Sequence, residues 1–246
     1  MKGLFLHCGA NIVEDYQQII DAVTPQETDT HKPLPHHIFI DMVKNHFGDT
    51  MTITEENHSL SHEGARYFGL MKVERKGIIT PDYSCVLGLR NSHDKKFPAA
   101  LVAGSSVFVC DNLSFSGEEK AQRRHTRFMM RDLKGVISRC FARLNDHWGF
   151  QAKRFDAYKD FQLGDKEASH LLLRAFEAGA CRSNDIKGIW NQWNTPNHPE
   201  FQDRNAWSLF NAFTENLKGN LNALPKRTDA LHGILDIHCE VVNECI

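Results

Sequence analysis

The sequence predicts an α+β protein in which an antiparallel, meandering sheet is flanked by helices and followed by a helical C-terminal lobe. From Thr50 the apolar side chains alternate with a period of two, which is typical of half-buried strands. Beyond Gly117 they recur with the period of an α-helix for most of the remaining chain. Since strands come first and helices afterwards, the order disfavours a parallel βαβ sheet. We therefore predict an α+β core domain over residues 1–150 and a helical lobe over residues 151–246.

The composition is that of a globular protein with a real core, since 41% of the 246 residues are hydrophobic. No apolar run approaches the roughly 18 residues needed to cross a bilayer, and the start of the chain is too short for a signal peptide. We therefore expect no membrane partner and no export. The seven cysteines are odd in number and never form a C-x-x-C pair, which disfavours a disulfide framework or a zinc site. A reducing cytoplasm fits this pattern best.

Two helices are predicted before the sheet. Residues 14–23 form a short one that ends at Pro25, and residues 36–47 form another that ends at Gly48. The alternating pattern then predicts strands at residues 51–55, 65–74 and 83–90.

A hairpin is predicted next, because the apolar run of residues 99–103 is broken by Gly104-Ser105-Ser106 and resumes at residues 107–110. Helical periodicity then predicts four helices, at residues 118–148, 165–178, 204–217 and 228–242. Ser116 is a suitable N-cap for the first, with Glu119 completing a capping box. Trp148-Gly149-Phe150 leaves open whether that helix ends or only kinks there.

Positive charge is concentrated in the first of these helices. Its basic residues recur at steps of three and four, at Lys120, Arg124, Arg127, Arg131 and Lys134. On a helix they form one stripe opposite an apolar face, which is typical of a solvated surface or of a track for phosphates. Arg123 and His125 beside the stripe, and Arg90, Lys95 and Lys96 before it, raise the local charge although the net charge is only −2.

We assign nucleic-acid binding to seven basic residues, Arg90, Lys120, Arg123, Arg124, Arg127, Arg131 and Lys134. Aromatic rings that could stack on bases, or equally pack in the core, are Phe97, Phe108, Phe115 and Phe128.

Polar clusters close two predicted strands, one formed by Asn91, Ser92, His93 and Asp94 and the other by Cys110, Asp111 and Asn112. Short polar side chains at such positions commonly bond to nearby backbone as a strand becomes a loop. Neighbouring strand ends would also bring His93, Asp94, Asp111 and His125 together as ligands for a divalent ion. Because no fixed ligand spacing supports a metal, we favour capping and expect neither metal nor cofactor.

Several catalytic motifs are absent from the sequence. There is no G-x-S-x-G nucleophile elbow and no Walker or Rossmann glycine pattern. Their absence disfavours a serine hydrolase, a nucleotide hydrolase and a dinucleotide-dependent enzyme.

Four stretches carry a family resemblance: residues 66–70, residues 87–94, the pattern Gly104-x-x-Val107 continued to Leu113, and residues 207–215. In them the chain resembles the bacterial, phage and plasmid proteins grouped as domain of unknown function 932. The resemblance covers most of the chain and implies a mobile genetic element, but no activity. The order of helix, antiparallel strands and long basic helix is also similar to that of single-strand annealing proteins, an analogy of fold alone.

The leading interpretation is a non-enzymatic nucleic-acid-binding protein of a mobile element, with single-stranded DNA as the favoured partner for binding or annealing. One alternative is a metal-dependent hydrolase or nuclease that uses the His/Asp cluster. Another is a phage protein that binds and inhibits a host protein through the helical lobe, with its tryptophans Trp190, Trp193 and Trp207. Assembly into a homo-oligomer is left open.

Overall fold

A computed structural model describes residues 11–76, 83–107, 113–217 and 223–241, with backbone alone for residues 106, 107 and 113–119. Contacts divide the chain into two compact units, one of Met1–Ser105 with Glu119–Asn145 and one of Ser106–Glu118 with Asp146–Ile246. Within the described ranges, no helix is long and apolar enough to cross a membrane. The predicted domain boundary at residue 150 stays a prediction.

The sheet has six strands that neighbour one another in the order of the sequence. They are β1 (Asn11–Ile12), β2 (Met51–Ser61), β3 (Arg66–Arg75), β4 (Tyr83–Ser92), β5 (Ala99–Val107) and β6 (Leu113–Arg123). The ladders from β1 to β4 are antiparallel. The predicted α+β class and the meandering antiparallel sheet are thus confirmed, as are the first three predicted strands.

The predicted hairpin at Gly104-Ser105-Ser106 is wrong, because Ala99–Val107 forms one uninterrupted strand. Gly104, which lacks a side chain, and Ser105, whose side chain is small, are buried in it, which suits close packing inside the strand rather than a turn. The predicted return strand at residues 107–110 falls largely outside the described residues.

The predicted helix over residues 118–148 is wrong in its first part. Residues up to Arg123 belong to β6, and the helix begins only at Met129. Lys120 and Gln122 are exposed while Ala121 between them is buried, which is the alternation of a strand. A charged segment with few apolar residues fits the period of a helix as well as that of a strand. Pairing at the edge of the sheet makes this segment a strand. Ser116 therefore lies in a strand and caps no helix.

Seven α-helices occur in the described ranges. They are α1 (Gln17–Ile20), α2 (His36–Lys44), α3 (Met129–Asp160), α4 (Asp165–Glu177), α5 (Ile186–Asn194), α6 (Ala206–Asn216) and α7 (Leu224–His238). The predictions of α2, α4, α6 and α7 are confirmed with shifted ends, whereas α1 is shorter than predicted and α5 was not predicted. Helix α3 continues through Gly149, so it does not end there.

The unit that contains most of the sheet is held by α2 and the first part of α3. Helix α2 buries Phe39 and Ile40 and contacts β4, while Leu133 and Ile137 of α3 are fully buried. This packing places the ends of β4 and β6 and the start of α3 within one compact unit.

The helical unit is tied internally by a buried ion pair. The guanidinium of Arg154, on α3, donates to both carboxylate oxygens of Asp236, on α7, at 2.9 and 2.8 Å. The Tyr158 hydroxyl donates to the same carboxylate at 2.6 Å. Of the three tryptophans named for the host-protein alternative, Trp193 and Trp207 are buried and Trp190 is half-buried.

Candidate nucleic-acid interface

Asn91, the residue before the end of β4, joins three segments of the chain through a fully buried carboxamide. Its Nδ2 donates to the carbonyl of Leu34 at 2.7 Å and to Nδ1 of His36 at 2.9 Å. Its Oδ1 accepts from Nε2 of His125 at 2.7 Å. The polar end of β4 thus fixes the segment that follows β6, from which the basic residues emerge.

The two histidines that contact Asn91, His36 and His125, have lowered pKa values and are neutral near pH 7. Burial, and then the neighbouring His93, lower the pKa of His36 to about 3. Burial, and then His31, lower the pKa of His125 to about 4. Neutral His36 accepts at Nδ1 and donates from Nε2 to the Gly64 carbonyl at 2.9 Å. The His36 ring also stacks on the His93 ring, with centroids 3.9 Å apart, so the two imidazoles pack directly against each other.

Ser92 and Asp94 shape the loop that follows β4. The Ser92 hydroxyl donates to Asp94 at 2.8 Å and accepts from the backbone N–H of Lys96 at 2.9 Å. Nε of Arg66 donates to the other Asp94 oxygen at 2.6 Å. Partial burial would raise the pKa of Asp94, but the hydrogen bonds from Ser92 and Arg66 outweigh it and lower the pKa.

Lys95 adopts a left-handed backbone with a φ of 63°, which is uncommon for a residue with a side chain. The backbone N–H of Lys96, after Lys95, donates to the side chains of Ser92 and Asp94, before it, and these bonds hold the conformation. The loop therefore presents Lys95 and Lys96 from a constrained backbone.

Two adjoining cavities lie beside this loop, with volumes of about 340 and 460 Å³. The first is lined by His31, Lys95, Lys96, Phe97, Pro98, Arg124, His125 and Thr126. The second is lined by Arg90, Pro98, Gln122, Arg123, Arg124 and Thr126. Among the residues that the structure describes, no carboxylate lines either cavity. We call the pair the cationic cavities.

Three of the five lysines and arginines that line the cationic cavities have no described carboxylate to neutralise them. In the described part of the chain, Lys95, Lys96 and Arg124 take part in no ion pair. Burial, and then the charge of Lys95, lower the pKa of His31, as expected in a positive potential. The guanidinium of Arg90 lies 5.3 Å from the centroid of the Phe97 ring, over the apolar wall.

An exposed aromatic ring follows the cavities along the chain. Phe128 is 49% exposed just before α3. The guanidinium carbons of Arg127 and Arg131 lie 5.6 and 4.6 Å from its ring centroid. Asp132 accepts from Nε of Arg131 at 2.8 Å and also pairs with Arg123. Phe128 is therefore an aromatic ring that is partly open to solvent and has an arginine on either side of it in the sequence.

The predicted binding residues do not form one helical stripe. Lys120 and Arg123 lie on β6, Arg124 and Arg127 on the following loop, and only Arg131 and Lys134 on α3. That part of the prediction is wrong. Around the cavities the structure gathers Arg90, Arg123 and Arg124 of the predicted set, and around Phe128 it gathers Arg127 and Arg131, whereas Lys120 and Lys134 line neither cavity.

The polar clusters predicted at the two strand ends are structural as far as the described residues show. Asn91, Ser92, His93, Asp94 and His125 hold backbone and one another, as predicted for capping. Cys110, Asp111 and Asn112 lie outside the described residues.

The His/Asp set that was weighed as an alternative metal site does not assemble in the described ranges. Asp94 faces Arg66, and His93 places Nδ1 3.0 Å from the Val23 carbonyl and Nε2 2.9 Å from that of Leu34. No group of three or more metal-ligating side chains converges among these residues. Asp111 lies outside them.

His31, Pro98, Gln122 and Thr126 were missed by reasoning from the sequence. His31 is distant along the chain and lies in a polar loop, so nothing in its own segment signals that it lines a cavity. Lys95 and Lys96 could have been found from the sequence, since they directly follow the Asn-Ser-His-Asp string. Only the structure shows that they line a cavity.

The family model described as Domain of unknown function (DUF932) matches residues 27–231. That range includes the cationic cavities, the end of β4 and most of the helical unit. Neither a curated protein nor a solved structure matches the chain.

Proposed function

Because the chain belongs to the DUF932 family, whose description states no activity, we propose a function from the site itself: binding of nucleic acid, with single-stranded DNA favoured. The supporting observation is the pair of cationic cavities, lined by basic side chains from two separate loops and by no described carboxylate. We further infer a protein of a mobile genetic element. A cytoplasmic location is in keeping with the free thiols of Cys85, Cys181 and Cys239.

Phosphate is the ligand that this surface suits. The net charge of −2 supplies no general attraction, so affinity has to come from local charge. Concave walls lined by one sign of charge focus the field, and Lys95, Lys96 and Arg124 supply that sign without carboxylates to cancel it. Contacts of this kind release counterions, which makes binding steeply dependent on salt.

A single strand is favoured by the ring of Phe128. About half of this side chain is exposed, so an unpaired base can stack on the ring, which is worth about 1–3 kcal/mol. The adjacent guanidinium groups of Arg127 and Arg131 are placed to meet the phosphates beside that base. The bases of a duplex already stack on one another and gain nothing from such a ring.

The test is fluorescence anisotropy with a labelled thymidine oligonucleotide of about 20 residues, long enough for a site of ~4–16 nucleotides. We expect binding at low salt. Combining Lys95→Ala, Lys96→Ala and Arg124→Ala should flatten the logarithmic salt slope by about two, at ~0.7 per lost phosphate contact. A lack of binding at low salt would overturn the proposal.

The matched control removes the same charges elsewhere. Lys166, Arg174 and Lys187 are exposed on α4 and α5 and line neither cavity. Their combined replacement by alanine lowers the net charge equally, so an equal loss of binding would show that the cavities are not the site.

The stacking residue has its own control. Phe128 and Phe176 are 49% and 41% exposed. We expect Phe128→Ala to weaken oligonucleotide binding about tenfold, within the range for one stacked base, and Phe176→Ala to leave it unchanged. Equal effects would remove the argument for stacking.

A further inference from the structure

The residues that line both cationic cavities suggest how a single strand binds. This inference rests on the proposed function. Pro98, Arg124 and Thr126 line both cavities. Each cavity also has basic groups of its own, with Lys95 and Lys96 in the first and Arg90 and Arg123 in the second. Arg124 is thus the cation common to both.

Each cavity has the size and lining of a site for a small organic anion. Volumes of about 340 and 460 Å³ fall within the ~300–1,000 Å³ usual for ligand pockets. Phe97 and Pro98 add apolar surface to the basic groups. The Phe97 ring also packs against Phe68, with centroids 5.3 Å apart, which supports it from behind.

We propose that the two cavities hold consecutive nucleotides of a single strand, and that Arg124 contacts the phosphodiester that joins them. A guanidinium suits this position, because it can donate two parallel hydrogen bonds to the two free oxygens of a phosphodiester. A duplex cannot place successive nucleotides in separate cavities while its bases stay paired and stacked.

The loop that bears Lys95 and Lys96 is arranged for this before binding. Its left-handed residue Lys95 is held by Ser92 and Asp94, so little further ordering of the backbone is needed. Backbone in this region is costly for a residue with a side chain and is concentrated at binding sites.

The test is a competition assay in which 5′-phosphorylated thymidine mono- and dinucleotides displace the labelled oligonucleotide at low salt. We expect the dinucleotide to bind at least tenfold more tightly than the mononucleotide. Arg124→Ala should reduce that ratio to below threefold, and Arg124→Lys should restore part of it. Arg174→Ala, in the other compact unit, should leave the ratio unchanged.

The outcomes separate this inference from the proposed function. If the wild-type protein does not bind the labelled oligonucleotide, the proposed function fails. If the protein binds the oligonucleotide but the mononucleotide and the dinucleotide compete equally, the binding of consecutive nucleotides in the two cavities is overturned, while nucleic-acid binding stands. The same holds if Arg124→Ala weakens the binding of both competitors equally. Competition by a duplex as effective as by a single strand of the same length overturns it as well. Arg124 is exposed in a loop, and unchanged thermal unfolding of its variants would establish that they are folded.

Discussion

Replacement of Asn91 by alanine should destabilise the protein far more than the loss of one small side chain suggests. The carboxamide is fully buried and makes hydrogen bonds to the Leu34 carbonyl, His36 and His125. The Leu34 carbonyl also lies 2.9 Å from Nε2 of His93, so it keeps a partner in the tautomer that carries the proton on that nitrogen. Two buried ring nitrogens, one on His36 and one on His125, lose their partners.

The magnitude follows from these two atoms. A buried polar atom left without a partner costs about 1–3 kcal/mol, so Asn91→Ala should lower the free energy of unfolding by about 2–6 kcal/mol. Asn91→Leu keeps a similar volume but removes the same hydrogen bonds, and it should cost a similar amount. Asn191 lies exposed on α5, and Asn191→Ala should stay within about 0.5 kcal/mol of the wild type.

Urea denaturation followed by circular dichroism measures all three variants, with the free energy of unfolding extrapolated to water. The measurement belongs at neutral pH, where His36 and His125 are neutral. A loss below about 1 kcal/mol for Asn91→Ala would refute the network, and full retention of stability by Asn91→Leu would show that volume, not hydrogen bonding, matters at this position.

Three further outcomes follow from the same structure. The pKa values of His36 and His125 are lowered to about 3 and about 4 from an ordinary 6.5. Below pH 6.5 these two histidines therefore bind protons in the unfolded chain but stay neutral in the folded chain. Stability should therefore fall with pH from about 6.5 towards 4, by up to ~1.4 kcal/mol per pH unit for each histidine, and His125→Gln should flatten the curve in acid titrations of unfolding; an unchanged slope would contradict the assignment. Gly69→Ala should destabilise by more than about 2 kcal/mol in urea, because an added Cβ would lie 2.1 Å from the Tyr67 hydroxyl, and a neutral result would contradict this packing. Gly149→Ala should instead raise the melting temperature through a gain of about 0.5–1 kcal/mol, since Gly149 lies inside α3 and, apart from the helix backbone around it, no described atom would lie within 4 Å of an added Cβ; a lower melting temperature would contradict it.

The limits of reasoning from the sequence are clearest at residues 113–134. Basic residues at steps of three and four predicted a helical stripe, yet Lys120 and Arg123 lie on β6 because that segment completes the sheet. A segment with few apolar and many charged residues fits the period of a strand as well as that of a helix, so only pairing with the neighbouring strand could decide which of the two it forms. The predicted hairpin failed for a related reason, since Gly104 marks close packing as readily as a turn.

The sequence by itself determined the α+β class, three of the strands, most of the helices and the family, because periodicity and residue strings are local properties that survive without neighbours. It also located the polar end of β4 and the basic residues on either side of it. Only the tertiary structure decided that Asn91 joins His36 to His125, and that Lys95, Lys96 and His31 line one cavity with Arg124. Those contacts connect residues far apart in the chain, and their existence depends on how the sheet and helices pack rather than on any pattern within one segment.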